Sequence, residues 1–247
     1  MKTVKIFTYL DRPTSPFLPL WINYYKNNIK ADLCILHKNI HLGKLDVSSN
    51  IEVINIDHFF NSTAQNEWIP PAEIFNIYQK QFLQTHDIVI YCDADEFIVH
   101  DDLDNLVRSN YSPCLVTTGI EIVEKYSIDS KFDFTQSINV QRNHMIRSSW
   151  YDKPIIVNSP INWLGGKHNH NTFNNYVEGL YLIHLGRVCL ETYVKLWEDT
   201  RKMYPSSTYL KAFEKEWYIK HFNDPNHPDH PIVEIPQDIR KFLNKII

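Results

Sequence analysis

Glycine is scarce in this chain. Six glycines are scattered through 247 residues, and the first strand-like run is followed by Leu10-Asp11-Arg12-Pro13-Thr14, without one. A glycine-rich loop cradling phosphate at that position is therefore excluded. No run approaches the roughly 18 uninterrupted apolar residues of a membrane-crossing helix, and Met1-Lys2-Thr3-Val4-Lys5 leads into a strand pattern rather than an apolar leader. The expected location is cytoplasmic. Dense Lys/Arg blocks are also missing, and the formal charge is -4. Backbone binding to nucleic acid needs clustered cations, so no nucleic-acid partner is expected. Cys34, Cys92, Cys114 and Cys189 sit singly in apolar segments. Without close pairs they make neither a zinc ribbon nor a redox motif, and they read as buried thiols. There is no internal repeat, and 43% apolar content over this length suits one domain.

What is present centres on Ile88-Val89-Ile90-Tyr91-Cys92-Asp93-Ala94-Asp95-Glu96-Phe97-Ile98-Val99. An apolar run delivers two carboxylates to the end of a buried strand and then resumes. Like charges brought together out of water repel, and burial disfavours their ionisation. A divalent cation relieves that cost. On an extended segment, residues at spacing two project to the same side, which would let both aspartates face one ion.

The surrounding pattern is α/β. Strands are expected at Val4–Leu10, 33–37, 51–56 and 88–92, with helices at 17–29 and 72–85, where Ile74, Ile77, Tyr78, Gln81 and Phe82 are expected along one face. Pro71 suits the start of the second helix. Alternation of this kind predicts a largely parallel sheet whose ligands bind at the carboxyl ends of strands. Further on, the pattern predicts a short helix at 102–107, a strand at 114–118, a loop-rich stretch over 120–150 and strands at 153–157 and 181–185. Helices are expected at 191–203, 208–222 and 237–247.

Taken together, Trp21 with Tyr24-Tyr25, Asp93-Ala94-Asp95-Glu96-Phe97, Lys153-Pro154-Ile155-Ile156, Gly165-Gly166-Lys167-His168-Asn169 and Ile183-His184-Leu185 resemble the nucleotide-diphospho-sugar glycosyltransferases of the GT-A fold, in particular their family 2-like bacterial branch. The acidic pentapeptide is specific on its own. The others add weight by their order. The resemblance implies a GT-A-like three-layer sandwich with a mostly parallel central sheet: a nucleotide-binding half over 1–100, an acceptor-facing half over 101–190 and a C-terminal helical extension over 191–247. It implies transfer of a sugar from a nucleoside-diphosphate sugar, UDP foremost, to a glycan or lipid-linked glycan in surface polysaccharide synthesis, with Mn²⁺ or Mg²⁺ as cofactor. One departure is the missing acidic motif that supplies the family's inverting base.

The same resemblance assigns roles. Asp95 ligates the metal, Asp93 reaches the ribose or the metal through water, and His184 adds a ligand. Glu96 supports the turn or faces the sugar. Thr8, Tyr9, Asp11 and Arg12, at the end of the first strand, fall where the fold receives base and ribose. Asp11-Arg12-Pro13 also serves simply as a turn. Gly166, Lys167, His168 and His170 suit contacts to sugar hydroxyls, and Trp163 an apolar face for a pyranose. His168 and His170 have a spacing that also suits zinc, but no further ligands stand at zinc spacing. As a lone histidine in an apolar strand, His184 alternatively is a hydrogen-bonded core residue. Glu121 and Glu124 are candidate bases with no better claim by alternation than Asp129 or Asp152.

Competing readings are a nucleotidyltransferase, a phosphohydrolase and a non-catalytic glycan-binding module. The first lacks its glycine loop. An Asp-x-Asp phosphohydrolase carries its nucleophile on the first strand, and a glycan-binding module needs no metal pair at a strand end. In the last helix, Ile239, Phe242, Leu243, Ile246 and Ile247 share a face, with Arg240, Lys241 and Lys245 elsewhere. Segment 237–247 either packs onto the domain or makes a peripheral contact with an anionic membrane surface.

Overall fold

A computed structural model of the chain describes residues 1–10, 15–38, 50–59, 72–125, 128–164, 169–171, 175–203 and 231–246. Its centre is a ten-stranded sheet. Strands β1 (Val4–Leu10), β2 (Asp32–His37), β3 (Ile51–Asn55) and β4 (Ile88–Tyr91) lie parallel in the order β3-β2-β1-β4. The short strand β8 (Ile156–Val157) pairs antiparallel with β4 and with β6 (Cys114–Val123), so β4 and β6 run the same way. The antiparallel strands β7 (His144–Arg147) and β12 (Ile232–Glu234) extend that edge. Strand β11 (Tyr176–His184) lies parallel to β6 and antiparallel to β5 (Glu96–Val99). A separate ribbon joins β9 (Trp163–Leu164) to β10 (Asn169–His170).

Alternation along the central strands sorts side chains into two cores. Val4, Ile6, Leu10, Leu33, Ile35, Ile88 and Ile90 face α1 (Leu18–Asn28) and α6 (Gln237–Ile246), whereas Phe7, Cys34, Leu36, Val89 and Tyr91 face α2 (Ala72–Phe82). The result is three layers, helix on sheet on helix, with every described strand except β9 and β10 in one continuous sheet. Helix α1 buries Leu18, Trp21, Tyr24 and Tyr25, and the N–H of Ile29 closes its end on the Tyr25 carbonyl at 3.1 Å. Two of its tyrosines reach past the apolar layer. The Tyr24 hydroxyl donates to the Ile98 carbonyl at 2.6 Å, and the Tyr25 hydroxyl receives the Ile98 N–H at 3.0 Å. They thereby satisfy the edge of β5, which bears the acidic motif.

Several boundaries differ from the sequence pattern. The buried face of α2 is Ile74, Phe75, Tyr78, Gln79 and Phe82, leaving Ile77 and Gln81 exposed. Gln79 faces inward because its side-chain oxygen takes the Ile161 N–H at 2.9 Å. The stretch 120–150 is more ordered than its mixed composition suggests. Strand β6 runs on to Val123, then come α4 (Ile138–Gln141) and β7, with α3 (Leu103–Ser109) before them. Helix α5 is Leu190–Met203, and the helix expected over 208–222 lies outside the described residues. In α6, Ile239, Phe242, Leu243 and Ile246 are buried in the α1-side core. Its polar side holds Lys241 against Asp101 and Arg240 against the Ile235 carbonyl. Packing onto the domain accounts for its amphipathic pattern, so its apolar face is not left for a membrane surface. No described helix is long and apolar enough to cross a membrane.

Candidate active site

Strand β4 ends at Tyr91, and the chain reverses over Asp93–Glu96, where the Glu96 N–H reaches the Asp93 carbonyl at 2.9 Å. Asp93 therefore opens a turn and Asp95 lies within it, in place of an extended segment, and the two side chains meet different partners. The extended segment expected of the pair is thereby corrected to a turn. Asp93 turns toward Lys153 and Asp95 toward His184.

The register explains the Asp95 side. His184 on β11 lies directly opposite Glu96 on β5 and Glu121 on β6, and directly opposed residues project to the same face of a sheet. The backbone N–H of Leu185 continues the ladder onto the Asp95 carbonyl at 2.9 Å. His184 Nδ1 then sits 3.0 Å from Glu121 Oε1, and Nε2 lies 3.4 Å from Asp95 Oδ2. Behind it, Arg187 Nη1 approaches Glu121 Oε2 at 2.6 Å. Burial works against a charge on the imidazole, but Asp95 and then Glu121 push its pKa up to about 10. Asp95 answers in kind: burial opposes its charge, yet the His184 ring holds its carboxyl below the usual range. The ring's face is fixed by Tyr151, stacked at 4.1 Å with an interplanar angle of 21°. No side chain is tolerated at Gly186, where a Cβ would lie 2.5 Å from His184 Cε1 and 3.2 Å from Asp95 Oδ2.

The Asp93 side is closed differently. Asp93 Oδ1 receives the Tyr91 hydroxyl and Oδ2 lies 3.2 Å from Lys153 Nζ. The same ammonium bonds Glu96 Oε1, and Glu96 Oε2 accepts the Asp93 N–H at 3.1 Å. Burial alone would neutralise Lys153, but Glu96 and Asp93 hold it protonated, raised above its ordinary range. Glu96 is fully buried, so it supports the turn and is not open to a sugar.

Tyr151 and Lys153 come from one segment, which begins with the 3-10 turn Ser149–Tyr151. That turn lies against Gly119 of β6. A Cβ there would be 2.5 Å from both the Ser148 carbonyl oxygen and Tyr151 Cβ. The Gly119 N–H donates to Asp152 at 2.7 Å, and Arg147 closes on the other Asp152 oxygen at 2.7 Å. Gly119→Ala is expected to cost about 1–3 kcal/mol by overpacking against backbone that cannot yield, lowering the melting temperature by roughly 2–4 °C per kcal/mol. Thermal melting checks this, and an unchanged midpoint would contradict the tight approach.

Other candidate residues separate. Glu124 accepts the Leu190 N–H at 2.8 Å at the start of α5 and lies 3.5 Å from Arg142, which is a capping role. Asp129 accepts the Lys125 N–H at 2.7 Å. Trp163, expected to present its ring to a pyranose, is only 1% exposed. Its indole N–H donates to the Pro154 carbonyl at 2.8 Å and its ring packs beside Phe7 and Tyr91, so it belongs to the core under the motif. At the end of β1, Thr8 is buried with its hydroxyl unpartnered among the described residues, while Tyr9 is half-buried, edge-on to Phe75 at 6.1 Å. Asp11, Arg12, Gly166, Lys167 and His168 lie outside the described residues, and His170 is described by its backbone in β10. The residues to which sequence patterns assigned no role are Tyr91, Tyr151, Lys153, Arg187, Gly119 and Gly186, although Tyr91 and Lys153 stand within the quoted motifs. Only tertiary contact reveals them.

Among the described residues no three His, Cys, Asp or Glu side chains are arranged around a metal position. What exists is one carboxylate and one imidazole, Asp95 and His184, with Glu121 behind the ring. Mg²⁺-like ions are commonly held by one or two protein ligands plus phosphate oxygens and water. An imidazole in the set suits Mn²⁺ better than Mg²⁺, and a carboxylate on the far ring nitrogen orients a ligating histidine. The donor set fits.

No family model matches the chain, and no curated protein matches its sequence. Among solved structures, it is similar to a Bacillus anthracis protein named as a glucose-1-phosphate thymidylyltransferase, at 12% identity and a TM-score of 0.32 over 88% of this chain and 82% of that one. It is also similar to HddC from Yersinia pseudotuberculosis, at 10% identity and a TM-score of 0.33 over the whole of both chains. Mouse xyloside xylosyltransferase 1 follows at 11% identity and a TM-score of 0.26, over 99% of this chain and 80% of that one. At scores of that size, the fold and the site stand on this chain's own geometry.

Proposed function

We propose that the chain is a metal-dependent glycosyltransferase that takes a sugar from a nucleoside-diphosphate sugar, with UDP the first nucleotide to test, and passes it to a glycan or lipid-linked glycan. Synthesis of a surface polysaccharide is the setting that the family resemblance suggests. The observation that carries the reading is the line Asp95–His184–Glu121 at the carboxyl-end turn of β4, partly open to solvent at Asp95, where open α/β sheets bind their ligands.

Asp95 and His184 would hold Mn²⁺ or Mg²⁺. Such an ion, when bound, neutralises charge on a departing diphosphate. Glu121 keeps the ring turned so that Nε2 faces Asp95, and Arg187 secures Glu121 in turn. Asp93, held by Tyr91 and Lys153 with its carboxylate about one-third exposed, is placed to accept from a ribose hydroxyl. Glu121, Glu124, Asp129 and Asp152 are each engaged in ion pairs or backbone hydrogen bonds. The acceptor proton is accordingly assigned to none of them.

Calorimetry with UDP, GDP and dTDP, each with and without Mn²⁺, tests the reading. One nucleotide is expected to bind only with Mn²⁺, and that binding is expected to vanish in Asp95→Ala. Metal-independent binding, or no binding to any of the three, would remove the reading.

A further inference from the structure

Lys153 is the most deeply buried cation at the acidic turn, with its side chain 3% exposed. Its backbone is pinned, because the Thr117 N–H donates to the Lys153 carbonyl at 3.1 Å and the Thr117 hydroxyl does so at 3.3 Å. The side chain therefore cannot withdraw without unpicking the contact between the 3-10 turn and β6. Its ammonium reaches two carboxylates at once, Asp93 at 3.2 Å and the fully buried Glu96. Both have their remaining oxygens satisfied by Tyr91 and by the Asp93 N–H. Lys153 thus engages every acidic group of the motif except Asp95. Asp95 looks the other way, toward His184.

We infer that Lys153 is a built-in counter-cation that withholds Asp93 and Glu96 from the exchangeable metal, so that the site takes a single divalent ion, at Asp95 and His184. The inference rests on the glycosyltransferase reading for the metal but concerns this chain's own residues. Two adjacent carboxylates without Lys153 would be an uncompensated charge pair beside a third, and a second cation from solvent would relieve it. Lys153 supplies that charge permanently. Because it is part of the chain, it stays on Asp93 and Glu96 and leaves the motif asymmetric.

The test counts Mn²⁺ by the electron paramagnetic resonance signal of the free ion, with UDP at saturation, alongside thermal melting. The wild type is expected to take one Mn²⁺ per chain. Lys153→Gln is expected to take a second, and Lys153→Arg, which keeps the charge, is expected to return the count to one. A lysine that merely supported the fold would change the melting temperature without changing the count. Where Lys153→Gln is too unstable to titrate, Lys153→Met with Glu96→Gln leaves no buried unpaired charge. In that double variant the released Asp93 is expected to tighten the single Mn²⁺ by about tenfold. One Mn²⁺ at unchanged affinity in all the variants overturns the inference alone. A wild type that takes no Mn²⁺ with UDP, GDP or dTDP removes the glycosyltransferase reading, and the inference with it.

Discussion

Asp95→Asn is expected to lower turnover of the nucleotide-sugar donor by roughly a thousandfold or more, equivalent to about 4 kcal/mol of lost transition-state stabilisation. The substitution keeps shape and removes one charge. Asp95 is the carboxylate that points toward His184 without an ammonium of its own, so its charge has no substitute in the site. Asp93 cannot replace it, because Lys153 and Tyr91 hold both its oxygens. Glu121→Gln should cost less, about 10–100-fold, because it acts through the ring and not on the leaving group. Donor hydrolysis at saturating Mn²⁺ measures both. Equal losses in the two variants, or a loss in Asp95→Asn that appears wholly in KM, would contradict the assignment, since a charge needed in the transition state lowers kcat. Asp95→Asn should melt close to the wild type if its burden is catalytic.

The contrast between Asp93 and Asp95 shows what was legible in the sequence and what was not. An apolar run ending in Asp-x-Asp announces a strand that carries charge to its end, and Ile88–Tyr91 is that strand. The direction of each side chain, however, depends on whether the chain continues extended or turns. The residues 93–96 carry neither glycine nor proline to announce the turn. It is made by backbone closure of Glu96 on Asp93 and by two partners some 60 and 90 positions away, Lys153 and His184. Lys153 was visible as part of the tetrapeptide Lys153-Pro154-Ile155-Ile156, but nothing local says that a lysine before a proline will be buried. A buried lysine is rare unless paired, and its pairing is long-range.

The strands were legible where burial on both faces makes continuous apolar runs, as in β1, β2 and β4. Strand β7 was hidden because His144 and Arg147 bracket Met145 and Ile146, a run too short and polar to separate from a loop. Strand β5 needed the tyrosines of α1 as much as its own residues. The helix at the C-terminus was legible as amphipathic, but amphipathicity alone does not choose between a core and a membrane surface. The choice comes from α1 and from the Asp101 and Asn139 side chains that meet its basic residues.

Trp163 is the residue whose role changes most between sequence and structure, and Trp163→Ala is expected to destabilise the fold by about 3–5 kcal/mol, the usual cost of emptying a large aromatic site in a core. For a domain of this size that corresponds to a melting-temperature fall of about 10 °C. The ring fills the space between Phe7 at 6.4 Å and Tyr91 at 6.0 Å, and its N–H would leave the Pro154 carbonyl without its 2.8 Å partner. Asn76 would keep its two bonds to the backbone of residue 163, at 2.8 and 3.0 Å, so the ribbon stays attached while its core contact is lost. Trp163→Phe retains most of the volume and should cost only the indole hydrogen bond and part of the packing. A sugar platform would behave in the opposite way: Trp163→Ala would melt like the wild type and raise KM for the acceptor. The structural role also predicts a secondary effect at the site. Tyr91, released on one side, is the donor to Asp93, so the alanine variant should weaken Mn²⁺-dependent nucleotide binding even at temperatures where it remains folded, whereas the phenylalanine variant should not.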